Sequence, residues 1–216
     1  MIGMKKEKMT IDAMRKEAWN ALKGKRKTMA WVALIYFGVV VCCAILSALL
    51  WGNIVTLIVM PPILLGMRIC AMRVVRGEDV VVTDLFSGWG RFGSVVALNL
   101  VNGIFVSLWS LLLIVPGIIK SYAYSMSFYV LADHPGFSQD EAREESIDLM
   151  EGNKWRLFCL ELSFLGWELL SILSFGVLYL WIIPYRETAH AIFYEQVKKE
   201  NQPPVYIPIE EEHTAR

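Results

Sequence analysis

Charge is what this chain lacks over long stretches. Residues 28–67 contain no Asp, Glu, Lys or Arg, and residues 92–132 contain only Lys120. Residues 157–194 hold Glu161, Glu168, Arg186, Glu187 and His190 among apolar neighbours. A soluble domain cannot leave that much apolar chain without a solvated face, so the 216 residues do not read as one or two soluble domains. Catalytic punctuation is missing too. There is no H-E-x-x-H for zinc, no G-x-S-x-G nucleophile elbow and no Walker A loop. His134, His190 and His213 fall in a loop, an apolar block and the tail, too scattered for one metal site. Cys42, Cys43, Cys70 and Cys159 lack zinc or redox spacing and read as small polarizable packing residues. No cofactor, metal or enzymatic activity is expected. "GWGRFG" at 88–93 matches G-x-G-x-x-G, but without a preceding strand it is expected to serve only as a flexible entry to an apolar helix. The first apolar run is too long for a signal peptide, and no small-x-small cleavage pattern follows it.

What is there is hydrophobicity: 56% of the residues, with a mean hydropathy of +0.46 and zero formal net charge. Each apolar block is about twice the ~20 residues that cross a bilayer as a helix. The expected fold is therefore all-α, a polytopic transmembrane bundle of six spans in three hairpins, about 28–72, 92–132 and 157–195. Residues 1–27 precede the membrane domain 28–195, and 196–216 form a flexible, proline- and acid-rich tail. Turns are expected at "WGN" 51–53, "VPGI" 115–118 and "SFGV" 174–177. Nine Lys and Arg precede the first span, while the three turns carry none, so both termini and both long loops are expected in the cytoplasm of a plasma-membrane protein. Trp31, Trp89 and Trp155 suit the inner aromatic belt and Trp51 the outer one.

The cytoplasmic segments have their own patterns. In 1–27, Ile11, Met14, Ala18 and Leu22 share a helical face surrounded by Lys and Arg, as in a helix lying on an anionic inner leaflet; a nucleic-acid partner is not expected. "SQDE" at 138–141 is a capping box that opens an acidic helix within 133–156, with Ile147, Leu149 and Met150 free to pack or to meet a protein partner. Gly24, Gly88 and Gly152 recur every 64 residues, each expected to end a segment with a C-terminal cap before the chain enters the membrane.

The polar residues inside the blocks are the candidate site. Glu161 and Glu168 lie two helical turns apart on one face, and Arg186 and His190 lie at i, i+4 on another. Offsets from a turn at Gly176 set Glu168 opposite Arg186 and Glu161 opposite His190, while Glu187 points toward another hairpin. Asn99 and Asn102, beside Gly103, are expected at a close helix contact, and Lys120 to snorkel to the outer interface. An unpaired charge in the hydrocarbon costs about 2.5–3.5 kcal/mol, so these groups either neutralise one another or line a wet path.

The stretches "SLLLIVPGIIKSYAYSMSFYVLADHP", "ESIDLMEGNKWRLFCLELSFLGWELLSIL" and "WIIPYRETAHAIFYE" resemble a bacterial membrane family, domain of unknown function nine-seven-five, over about residues 10–197. That resemblance implies a polytopic protein of the cytoplasmic membrane and distant kinship with membrane domains attached to some glycerophosphodiester phosphodiesterases. It implies no activity or catalytic residue. Three functional classes stay open: a non-enzymatic factor that binds lipid or a protein partner, a small-solute or proton-coupled transporter built as a homo-oligomer, and, with no motif behind it, an intramembrane enzyme.

Overall fold

A computed structural model describes residues 9–49, 54–174 and 178–201. The expected turn 51–53, the core of the turn at 174–177, Trp51, His213 and the tail from 202 lie outside the described residues. Within them the chain is helical, with no strand. The elements are α1 (Ile11–Ala21), α2 (Arg26–Leu49), α3 (Ile54–Val75), a 3-10 segment (Val82–Arg91), α4 (Phe92–Leu112), α5 (Ile114–Tyr124), α6 (Ser127–Asp133), α7 (Gln139–Leu149), α8 (Lys154–Leu173) and α9 (Tyr179–Asn201). Three stretches are long and apolar enough to cross a membrane: Arg26–Ser47, Thr56–Val75 and Val82–Leu112. The helices α8 and α9, which carry Glu161, Glu168, Arg186 and Glu187, are not among them.

The second reversal falls earlier than "VPGI". Leu113 is extended (φ −158°, ψ 138°), and Pro116 is the third residue of α5. A proline in the first turn of a helix costs nothing, because the N–H it lacks would have had no partner there. It therefore starts the returning helix rather than making the turn. That helix is itself divided, with α5 ending at Tyr124 and α6 beginning at Ser127.

The glycine repeat resolves into two different roles. Gly24 (φ +88°) and Gly152 (φ +71°) adopt the left-handed conformation expected of caps. Gly88 does not; among the described residues Gly77 (φ +79°), just past α3, is the third such glycine. Gly88 instead sits in the 3-10 segment, where a Cβ would overlap the Pro62 carbonyl. Gly66 of α3 meets the Leu85 carbonyl in the same way. The 3-10 segment thus lies backbone against backbone along α3, fixed by an ion pair between Arg73 and Asp84 (2.7 Å) and by Asp84 accepting from the Val81 amide (3.0 Å).

The amphipathic helices turn inward. Thr10 caps α1 by accepting from the Ala13 amide (3.3 Å), and Met14, Ala18 and Leu22 are buried in the protein core. The apolar stripe expected to face lipid is covered chiefly by α9. The two run antiparallel: Met9 shares a cleft with Ile192 and Glu195, while Trp19 and Leu22 share one with Trp181 and Pro184. The Ser138–Glu141 capping box forms as expected (3.3 and 2.7 Å), and Leu149 and Met150 are buried within the protein. Ser146 of α7 donates to the Ala123 carbonyl (2.8 Å).

Gly66→Ala and Gly88→Ala should each cost about 1–3 kcal/mol, because backbone cannot yield as a side chain can. Gly103→Ala, with open space around its Cβ position, should leave thermal unfolding in detergent within roughly 0.5 kcal/mol of the parent. Equal behaviour of the three variants would contradict the close approach.

Candidate functional site

Three helices, α3, α6 and α9, meet through their polar residues. Arg68 of α3 forms an ion pair with Glu187 of α9 and donates to the Tyr129 hydroxyl of α6 (2.6 Å). The guanidinium lies over the Tyr129 ring, 4.7 Å from its centroid, and the Tyr129 hydroxyl reaches Glu187 Oε2 at 3.2 Å. Glu187 is 4% exposed and Tyr129 fully buried. Two turns farther along, Arg76 meets Glu195 (2.6 Å) and Asp133 (2.7 Å), and Asp133 also accepts from Tyr194 (3.0 Å) and pairs with Lys198. Both α3–α9 pairs are 119 residues apart in the chain. The two helices are therefore parallel and in register over two turns, with α6 bridging both layers.

At the lower layer the carboxyl of Asp133 feels opposing effects. Burial alone would raise its pKa, but hydrogen bonds from Lys198, Arg76 and Tyr194 outweigh that and hold it at about 2, against an ordinary 3.8.

The residues singled out from sequence divide between this core and its flank. Glu168 and Arg186 are neighbours (2.7 Å), and Arg186 also approaches Glu187 (3.8 Å). Glu187 does meet another hairpin, through Arg68. Glu161 and His190 are not brought together. Glu161 accepts from the Tyr122 hydroxyl of α5 (2.5 Å), while His190 is buried beside Glu187, Arg68 and Arg186, its Nε2 without a partner. Matched offsets give equal depth but not equal surroundings, and α5 lies alongside α8 at the level of Glu161. Tyr122, Glu161, Glu168 and Arg186 line a lateral cleft of about 330 Å³.

Asn102 donates to Ser127 of α6 (2.9 Å), so one asparagine does bond across helices. A Cβ on Gly103 would meet nothing within 4 Å, so among the described residues no close backbone contact forms there; Asn99 and Asn102 border an apolar groove of about 930 Å³ along α4. Lys120 lies over the Trp109 ring (5.5 Å). The four cysteines are free, and among the described residues no group of His, Cys, Asp or Glu could hold a metal ion.

Sequence reasoning missed Arg68 and Tyr129. Arg68 ends the uncharged block and so reads as the first loop residue, whereas α3 continues to Val75. The available signal was a spacing: Arg68 and Arg76 are eight apart, as are Glu187 and Glu195.

An all-helical chain with three membrane-length apolar helices and a paired charge core belongs among integral membrane proteins. Residues 111–201, which hold α5 to α9, match the family model described as "Protein of unknown function (DUF975)". No curated protein and no solved structure matches, so the kinship with glycerophosphodiester phosphodiesterase membrane domains finds no support there.

Glu187→Ala, which strands Arg68, should destabilise by about 3–5 kcal/mol, and Glu168→Ala, at a half-exposed pair, by roughly 1 kcal/mol or less. Chemical unfolding in detergent reads the difference, and equal costs would contradict the distinction between core and flank. Because the folded-state pKa of Asp133 is depressed, its stabilisation is complete above its ordinary 3.8 and is lost as pH falls towards about 2. Asp133→Asn should reduce the acid sensitivity of unfolding between those values.

Proposed function

We propose that the protein is a non-enzymatic, multi-pass factor of the plasma membrane, with both termini cytoplasmic, that binds lipid or a protein partner. The observation that carries this reading is closure of the central charges. Glu187, Asp133 and Glu195 each meet an arginine, and Glu168 meets Arg186. Paired groups of this kind join helices without carrying traffic.

Three hairpins entering from the cytoplasmic side fit the reversal at Leu113. They also fit the pairs Glu168–Arg186 and Arg156–Glu200, which align α8 and α9 antiparallel. Depth differs between the hairpins. Six complete crossings require Arg26 and Trp181 at opposite faces of the bilayer, yet Arg26 and Met29 share a crevice with Trp181 and Pro184. Along α9, moreover, α1 exposes Asp12, Lys16, Glu17 and Asn20, side chains that need water or headgroups. We therefore read α2 and α3 as complete crossings and the α8–α9 hairpin as a shallower re-entry, with its charges near the inner interface.

A second reading, passage of a small solute or protons, is favoured by the lateral cleft. There Glu161 is bonded to a hydroxyl and has no cationic partner among the described residues. Purified protein in liposomes separates the two. The binding reading expects no pH-driven flux above that of empty vesicles, with Glu161→Gln and Glu168→Gln indistinguishable from the parent. A flux abolished by Glu161→Gln would replace it with transport.

A further inference from the structure

The basic residues at the start of the chain form a surface that the central ion pairs do not use. Between Thr10 and Thr28 there are six cationic side chains and two carboxylates. Arg15 and Arg26 stand out among them. Each guanidinium lies over an aromatic ring, Arg15 over Phe164 (5.5 Å) and Arg26 over Trp19 (4.2 Å). Among the described residues neither forms an ion pair or hydrogen bond with a protein acceptor, and the Nε of each is buried without a partner there. Arginines positioned over rings, with no described protein acceptor, are placed to meet an anion with several oxygens.

The setting says which anion. Trp19 and Tyr185, in edge contact at 5.8 Å, wall both a cleft of about 550 Å³ holding Arg15 and Lys16 and a smaller crevice holding Arg26. Tyr185 is fixed by donating to the Arg15 carbonyl (3.2 Å). The site lies where α2 begins its apolar stretch Arg26–Ser47, beside the exposed indoles of Trp19 and Trp181. Indoles and unpaired cations at the end of a membrane-length helix mark headgroup depth. Asp12 and Asn20 also line the larger cleft, and both can accept from headgroup hydroxyls.

We propose that the two adjoining clefts that share Trp19 and Tyr185, between α1 and the first half of α9, bind anionic glycerophospholipid headgroups, with Arg15 facing phosphate from the larger cleft and Arg26 from the smaller crevice. This rests on the membrane-factor reading above and narrows its ligand to the headgroup class.

The test uses the full chain purified in neutral detergent and titrated with short-chain phosphatidylglycerol or phosphatidylcholine, with bound lipid counted by native mass spectrometry. Parent protein should retain phosphatidylglycerol in preference to phosphatidylcholine. Arg15→Gln with Arg26→Gln should weaken that retention roughly thirtyfold, at about 1 kcal/mol per surface cation. Arg15→Lys with Arg26→Lys should restore only part of it, because lysine lacks the planar fork. Inorganic phosphate should compete poorly; full competition at millimolar concentration would mean a free anion site and overturn the lipid assignment. A control, Lys23→Gln with Lys27→Gln, should have a smaller effect, and an equal effect would reduce the site to diffuse attraction. Phosphatidylglycerol retention unchanged in the Arg15/Arg26 variant overturns the site but leaves lipid binding standing. Equal retention of the two lipids by the parent sinks the lipid reading as well. Thermal unfolding of each variant in lipid-free detergent, expected to match the parent, separates lost binding from lost fold.

Discussion

An arginine and a glutamate removed from water together cost several kcal/mol each unless their geometry returns it, and Arg68 and Glu187 meet that condition through Tyr129. The pair shares a tyrosine that receives a hydrogen bond from the guanidinium, gives one to the carboxylate and lies under the arginine as an aromatic face. Three helices must arrive together for this to exist. Once they do, the offset of 119 residues brings Arg76 onto Glu195 without further adjustment, and Asp133 of α6 closes that second layer. Other elements attach to this parallel core: α1 covers α9, the 3-10 segment covers α3 and α7 covers the junction of α5 and α6.

A second constraint is steric and sits beside the first. Gly66 lies two residues before Arg68 and admits the Leu85 carbonyl; Gly88 admits that of Pro62. Polar backbone brought against a helix demands small residues, and here they stand on both sides of the contact. The 3-10 segment is then pinned by Asp84, which is buried and shared between Arg73 and the Val81 amide. The literal glycine-rich motif at 88–93 thus has a packing explanation that needs no nucleotide.

Legibility in the sequence followed the kind of information each feature carries. Uninterrupted apolarity, which needs only a one-dimensional count, located α2 and α3 well, and Ser138 with Glu141 located the start of α7. Antiparallel register was readable from offsets, which is why Glu168 faces Arg186 as expected. Surroundings were not readable. The same arithmetic placed His190 by Glu161, because nothing in a hydropathy pattern says that α5 brings Tyr122 to that face. Arg68 was hidden for a related reason: a charge at the edge of an apolar block looks like a loop residue, and only a partner 119 positions away makes it a core residue. The three glycines spaced by 64 misled because one residue type serves two purposes, a left-handed backbone at Gly24 and Gly152 and an absent side chain at Gly88.

The buried charges look paradoxical only if α9 is assumed to run straight through a bilayer. With α1 lying along it, the stretch from Trp181 to Glu195 has a polar helix on one side and the paired core on the other. On the shallower re-entry proposed above, its ionisable groups would lie near headgroup depth, where water shares the cost of solvating them. Exposure follows the same division. Leu111, Leu112, Ile114 and Val115 at the α4–α5 reversal, and Ile172 and Leu173 at the end of α8, are the open apolar surfaces that hydrocarbon would cover. Polar exposure gathers instead on α1 and α7. The two ion-pair layers match each of their carboxylates with a cation, whereas Arg15 and Arg26, on the polar side of this division, have no protein acceptor among the described residues.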